Sequence, residues 1–197
     1  MRMRGALLAA LALAGCAAPQ GDLIVRVPAD APGSVASPLS RAARAIVAVR
    51  PFGEVTDAAR PGVVGDRLDG DGRSVGAYVV QPTPGRLVHE AIAAELLAAG
   101  HQPGGDGAPV VVEGAVQRFQ VKASSTGLYW SVVVDVAAGV TATRGAARLS
   151  HSYVAHCQDV AYTQPSAEMM APLIGRCVAD LGRQFRDDDA MARVIGG

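Results

Sequence analysis

The order of periodic segments predicts an α+β fold, a two-layer sandwich with an antiparallel or mixed β-sheet and two helices packed on one face. Three observations carry this prediction. Tyr129 to Thr143 alternates apolar and polar residues at period two, as a half-buried strand does. Two segments, 83–100 and 166–186, bear apolar stripes at helical spacing. The segments run β-α-β-β-β-α, with consecutive strands able to form hairpins, whereas the βαβαβ order of a Rossmann domain does not fit. The chain of 197 residues has room for one such domain once a leader is set aside.

The leader comes first. Arg2 and Arg4 form a positive start, and Ala6 to Leu13 form an apolar run. That run is too short to cross a bilayer, which needs about 20 apolar residues. Leu13-Ala14-Gly15-Cys16 then matches a bacterial lipobox: a Leu, two small residues and the Cys whose thiol accepts diacylglycerol. Small residues let the extended backbone enter the signal peptidase, and cleavage frees an amine for a further acyl chain such as palmitate. One chain holds a protein only marginally, because each buried methylene contributes about 0.8 kcal/mol, so two or three are needed. We expect a signal peptide over 1–15 and lipid attachment at Cys16. Ala17 lacks the Asp that retains lipoproteins at the inner membrane, so the expected address is the periplasmic face of the outer membrane.

Residues 16–43 read as the lipidated N-terminus, a Pro/Gly/Ser-rich tether and one short edge strand at Leu23 to Val27. A single domain is expected over 44–190. It opens with a strand, Arg44 to Phe52, whose Pro51 lies near its end, where no ladder N–H is required. Glu54 to Val80 is rich in Gly, Asp and Arg and reads as a long loop with a short strand at Gly76 to Val80. Thr83-Pro84 supplies a capping hydroxyl and a proline at the first helical position. Val88, Ile92, Leu96 and Ala99 form the stripe of that helix, and Gly100 ends it.

Pro109 to Val121 is a Val-rich strand whose apolar parity changes between Val116 and Phe119, which predicts a bulge. The alternating strand 129–143 follows, then a turn at Thr143-Arg144-Gly145 and a return strand, Ala146 to Cys157. On that strand Leu149, Tyr153, Ala155 and Cys157 share a side. Ser166 caps the last helix, whose stripe is Met170, Leu173, Ile174, Cys177, Val178, Leu181 and Phe185. Asp187 to Asp189 read as a solvated end, and 191–197 as a C-terminal tail.

Eighteen basic residues balance eighteen acidic ones, which leaves no electrostatic footprint for nucleic acid. Lipidation of Cys16 leaves Cys157 and Cys177. In an oxidising compartment, with Cys157 on the inward side of a strand and Cys177 mid-stripe on the next helix, a disulfide is expected. It would stabilise the fold by roughly 3 kcal/mol.

No residue set rises to catalysis. His151 and His156 are five apart on a strand and point to opposite faces, so they cannot chelate one metal. His89 and His101 read as surface or cap histidines. Asp66, Asp69 and Asp71 lack the spacing and closing acid of a calcium loop and read as a polar turn. Ser124-Ser125-Thr126-Gly127 is not a nucleophile elbow. No catalytic, metal or cofactor-binding residue is therefore expected.

Several features occur together: the lipobox, the strand Val47-Ala48-Val49-Arg50-Pro51-Phe52 with Val64-Gly65 beyond it, and the helix end Leu96-Leu97-Ala98-Ala99-Gly100-His101. The Val-rich hairpin with Tyr153 and the tail Ala161-Tyr162-Thr163-Gln164-Pro165-Ser166 between the two cysteines complete the set. Together they resemble the YajG-like family of outer-membrane lipoproteins. The resemblance implies a sheet-and-helix domain with no catalytic residues to carry over. Auxiliary lipoproteins of lipid-transporting ABC systems are similar in plan, but the chain lacks their Trp-Pro helix start after the first strand.

The expectation from sequence is a non-enzymatic, lipid-anchored envelope protein that binds an envelope protein partner. The alternative is a carrier or auxiliary lipoprotein of a lipid-transport system, holding an apolar ligand between sheet and helices. The segment 54–80 and the tip Ser124–Trp130 are the expected contact surfaces; the aromatic Tyr129 and Trp130 would suit an interface, though Trp130 reads as core.

Overall fold

The structure, a computed structural model, describes residues 20–28, 32, 35–54 and 60–197. The leader and Cys16, with its expected lipid, lie outside them. The elements in chain order are β1 (Leu23–Arg26), α1 (Pro38–Arg41), β2 (Ile46–Val49), β3 (Gly53–Glu54), β4 (Val63–Leu68), β5 (Ser74–Gln81), α2 (Pro84–Ala98), β6 (Gln102–Pro103), β7 (Val110–Ser125), β8 (Trp130–Arg144), β9 (Ala147–Ala161), α3 (Ala167–Arg186) and α4 (Asp189–Gly196).

The main sheet runs β6-β2-β7-β8-β9, and β3 also pairs with β7. It is mixed: β2 is parallel to β6 and β7, and β3 is parallel to β7, while β7, β8 and β9 are antiparallel. The α+β class stands, but the element order is not the expected β-α-β-β-β-α: among the described residues β3, β4, β5, β6 and the helices α1 and α4 are added to β2, α2, β7, β8, β9 and α3. The expected bulge is a register shift between Val116 and Arg118. It keeps Val116 and Phe119 both on the core side although they differ in parity. The hairpin turn lies at Gly145-Ala146, one residue later than expected, with Gly145 at φ +56°.

The expected long loop is corrected. Within 54–80 the chain forms β4 and β5, which pair antiparallel, and β1 joins β5 in parallel to make a second sheet, β1-β5-β4. The strand pattern of β4 is hidden because Gly65, Asp66 and Arg67 occupy it and its register shifts twice. Both oddities serve the packing. A Cβ on Gly65 would lie 2.0 Å from the Val121 carbonyl oxygen, so β4 approaches β7 at van der Waals limits. Arg67, 6% exposed, donates to the Gly21 carbonyl (3.1 Å) and joins the chain's start to this sheet.

The whole expected stripe of α3 is buried. Ser166 caps that helix, accepting from the Met169 N–H. The α2 start differs from expectation. The Thr83 side chain makes no capping bond; instead the Glu54 carboxylate, reaching over from β3, accepts from the Gly85 N–H (3.0 Å). A carboxylate there complements the helix dipole. At the other end Gly100 has φ +90°. The bonds from His101 N–H to Leu96 and from Gly100 N–H to Leu97 close a left-handed cap, as expected.

Three further expectations are corrected. His101 is a core residue, 3% exposed: its Nδ1 accepts from the Ala45 N–H (3.2 Å), which leaves Nε2 protonated to donate to the Leu39 carbonyl (3.2 Å). Residues 191–197 are no loose tail. They fall in α4 and its cap, with Met191, Ala192 and Ile195 buried and Asp188 as N-cap. The Cys157–Cys177 disulfide is absent: both are buried free thiols. The two thiols are neighbours, as the sequence places them, and each has a further partner besides the other. Cys177 Sγ donates to the Val134 carbonyl (3.4 Å), and Cys157 Sγ points to the Asp180 carboxylate (3.7 Å). Burial pushes the Cys177 thiol up, with the neighbouring Cys157 adding to the effect, so it stays protonated.

Candidate functional site

Strand β9 has β8 on one side and, among the described residues, no strand on the other. Its side chains divide cleanly. Tyr153, Ala155 and Cys157 are buried against the helices, while Ser150, Ser152, Val154, His156 and Gln158 are exposed on the opposite face. In such a strand the main-chain N–H and C=O of alternate residues point away from the neighbour. Gln184 of α3 identifies which set does so here. Its side-chain amide donates to the Val154 carbonyl (2.8 Å) and accepts from the Val154 N–H (3.4 Å), occupying the free edge at that one residue. Arg176 donates to a further carbonyl of the set, that of Gln158 (3.4 Å), two positions along the set beyond Val154, with His156 between.

The outward groups of Ser150 and Ser152 belong to the same set. Among the described residues their N–H and C=O make no hydrogen bond. A covered edge at Val154 and Gln158 thus adjoins an open one at Ser150–Ser152.

Two clefts meet on this open stretch, sharing His151 and Ser152. One, of about 600 Å³, spreads over the exposed face of the sheet beside Arg50, Glu113 and Gln117. Its floor follows from register. Ala115, Gly139 and Ser152 stand abreast on three strands, so the row has almost no side-chain height. In the next row Thr141 and Ser150 bond through their hydroxyls (2.8 Å), and Arg148 pairs with Glu113 (3.6 Å). The other cleft, of about 730 Å³, lies between β9 and the end of α3, beside Asp180, Arg183 and Asp188.

Asp188 joins β9 to α4. Its Oδ1 accepts from the Ala190 and Met191 N–H groups (2.9 and 3.0 Å), while Oδ2 accepts from the Tyr153 hydroxyl (2.8 Å) and faces His151 Nδ1 (2.6 Å). Burial pushes this carboxyl up, but the bonds from Met191, Tyr153 and His151 outweigh it, and the group stays below the usual carboxylate range. On the opposite face His156 Nδ1 lies 2.7 Å from Asp135 of β8. As expected, the two histidines serve different faces. The nearby Ser150 hydroxyl is engaged with Thr141 (2.8 Å).

The remaining expected positions are resolved as follows. His89 faces the Val49 carbonyl (3.3 Å) and packs edge-on against Phe52. Asp69 accepts from the Asp71 and Arg73 N–H groups (both 2.9 Å), which makes 69–73 a polar turn between β4 and β5, whereas Asp66, expected in that turn, lies within β4. At the β7–β8 turn Trp130 is in the core, while Leu128 is 84% and Tyr129 39% exposed. The sequence did not reveal the β9 edge as the site. The long alternation of 146–157 marks a strand, but its place at the sheet's end is set by topology.

No family model matches the chain, and no curated protein does. Solved structures do. Protein XCC0632 from Xanthomonas campestris, of family DUF330, is similar over 83% of this chain and 92% of its own, with 8% identity and a TM-score of 0.57. Lipoprotein GNA1162 from Neisseria meningitidis aligns over 73% of this chain and 99% of its own, with 16% identity and a TM-score of 0.36. PelC from Paraburkholderia phytofirmans, crystallised as a dodecamer, aligns over 75% and 94%, with 17% identity and a TM-score of 0.35. At these identities the likeness is one of fold alone, and the fold is shared with XCC0632.

Proposed function

We propose that the chain is a non-catalytic, lipid-anchored cell-envelope protein that binds an extended segment of a protein partner along the free edge of β9. The observation that carries this is the open stretch Ser150–Ser152, with unbonded main-chain groups where two clefts meet. An added strand would complete the ladder, and side chains on alternate sides of it would enter the two clefts. The lipobox ending at Cys16 supports anchoring, and Ala17 supports the outer membrane's periplasmic face. GNA1162 is itself described as a lipoprotein, which agrees with this reading.

The carrier reading is weaker. The cleft best placed for an apolar ligand lies among Val27, Leu87, Ala91, Ala94 and Val178, between α2 and α3. It holds about 70 Å³, against roughly 300 Å³ or more for typical ligand sites. The small side chains there let α2 and α3 approach closely.

Ser152→Pro tests the edge. It removes an N–H that makes no bond in the free chain, so the fold should persist, as circular dichroism would report. Purified in mild detergent from its own cells, the wild-type protein should bring a partner in stoichiometric amount, and the variant should lose it. A partner retained in full by the folded variant would remove β9 as the site.

A further inference from the structure

The end of the main sheet where β7 turns into β8 and β9 finishes carries the two most exposed large apolar side chains among the described residues, with two more beside them. Leu128 and Tyr162 are each 84% exposed, and Val160 and Tyr129 are 43% and 39% exposed. Register brings them together: Trp130 pairs with Ala161 and Ser131 with Val160, so Tyr129 and Tyr162 leave the sheet side by side. The two segments share a second property. From Ala123 to Val134, and from Val160 to Ala167, there is no charged residue. Lys122, Asp159 and Glu168 stand just outside. The turn is also fixed from within: the Thr126 N–H and hydroxyl both donate to the Tyr129 carbonyl (2.9 and 3.1 Å), and the Gly127 N–H donates to Ser125 Oγ (3.2 Å). Leu128 is thus held out in solvent by a bonded turn.

The chain's start lies at this same end. Gly21 N–H donates to the Val75 carbonyl (2.7 Å), and its own carbonyl accepts from Arg67. The next residue, Leu68, accepts from Gln164 (3.4 Å), two residues beyond Tyr162. Only Ala17, Ala18 and Pro19 separate Cys16 from Gln20. Four residue steps span at most about 14 Å.

We infer that this uncharged tip is a membrane-contact surface, which places Leu128, Tyr129, Val160 and Tyr162 among the lipid headgroups of the membrane that holds Cys16. The inference rests on the anchoring reading of Cys16. The chemistry suits that occupant: tyrosine rings with an apolar body and a polar tip favour the interface, and an aliphatic side chain gains by leaving water. The two tip segments carry no Lys or Arg, and in the adjoining 69–73 turn Arg73 is paired with Asp71, so the contact should depend little on salt.

The test uses the full, lipidated chain in phosphatidylcholine vesicles. An environment-sensitive fluorophore is attached through Leu128→Cys or, as a control on the open face far from the tip, Val154→Cys; Cys157 and Cys177 are buried. The expected result is emission shifted to shorter wavelength at 128 and quenched by spin-labelled lipid, little changed by salt, with neither effect at 154. Flotation with the vesicles but no quenching at 128 would overturn this inference alone. A blue shift without lipid quenching would also overturn it and assign the tip to a second copy. Failure of the wild-type chain to float, with no acyl mass on Cys16, would remove the anchoring reading and this one together.

Discussion

At the scale of single residues, polar groups that the sequence places at the surface turn out to hold the interior. His101 follows a helix cap in sequence, yet it bonds both Ala45 and Leu39 from inside the core. Burial lowers its pKa from 6.5, more than the bond to Leu39 raises it. A base with a depressed folded pKa binds its proton less well folded than unfolded. Its contribution to stability is therefore complete above pH 6.5 and is lost as pH falls below that value toward the folded pKa. Denaturant midpoints measured from pH 7.5 to 5 should fall over this window in the wild-type chain. In His101→Leu that component should vanish, with stability at pH 7.5 lower by about 1–3 kcal/mol for the two groups left unbonded. An unchanged pH profile in the variant would mean that other groups carry the acid sensitivity. Glu95 is a comparable case. It is 4% exposed on α2, where burial raises its pKa against the lowering influence of Arg186, whose Nη1 lies 3.8 Å away. A helical wheel marks Glu95 only as a polar residue, because its neighbour α3 arrives from ninety residues away.

At the scale of elements, the sequence was legible wherever one face of an element alone decides its pattern. The stripes of α2 and α3, the alternation of β8 and the parity change in β7 are such cases, and all stand where the periodicity puts them. The elements it hid are those whose pattern is set by close approach to another backbone. β4 is the clearest: Gly65 breaks its apolar alternation because the Val121 carbonyl occupies the place of a side chain. Gly65→Ala should therefore force β4 away from β7. We expect a loss of about 1–3 kcal/mol, the usual range for overpacking, with the secondary structure retained. Equilibrium urea unfolding would measure it, and a variant as stable as wild type would mean that the second sheet can shift freely on the first. The short helix α4 was hidden for a different reason. Its eight residues are too few to be helical alone and depend on the cap from Asp188, which Tyr153 and His151 hold in place from β9. The cysteines show what this scale does and does not decide: the elements bring Cys157 and Cys177 together as expected, and both stand there as buried free thiols.

At the scale of the whole molecule, the proposed surfaces divide the protein by position. The apolar tip and the start of the described chain share one end. The open edge at Ser152 lies nine residues along β9 from Ala161, up to about 30 Å away at 3.3 Å per residue. A partner strand at Ser152 would thus be held clear of headgroups without a long tether, provided the domain is stiff between the two. That stiffness has a physical basis. Val25, Tyr78 and Val80 of the second sheet belong to the same buried cluster as Val134 and Val136 of the main sheet and Ile174 and Val178 of α3. Neither sheet has a core of its own, so neither should melt alone. The single tryptophan, Trp130, reports on the tip of the main sheet, whereas far-ultraviolet circular dichroism reports on all strands and helices. The two signals should trace one coincident transition in urea, as expected for one cooperative unit. A circular-dichroism change that precedes the fluorescence change would show that the β1-β5-β4 sheet opens first. The chain's start would then hang on a loose hinge, and the fixed distance from membrane to β9 would be lost.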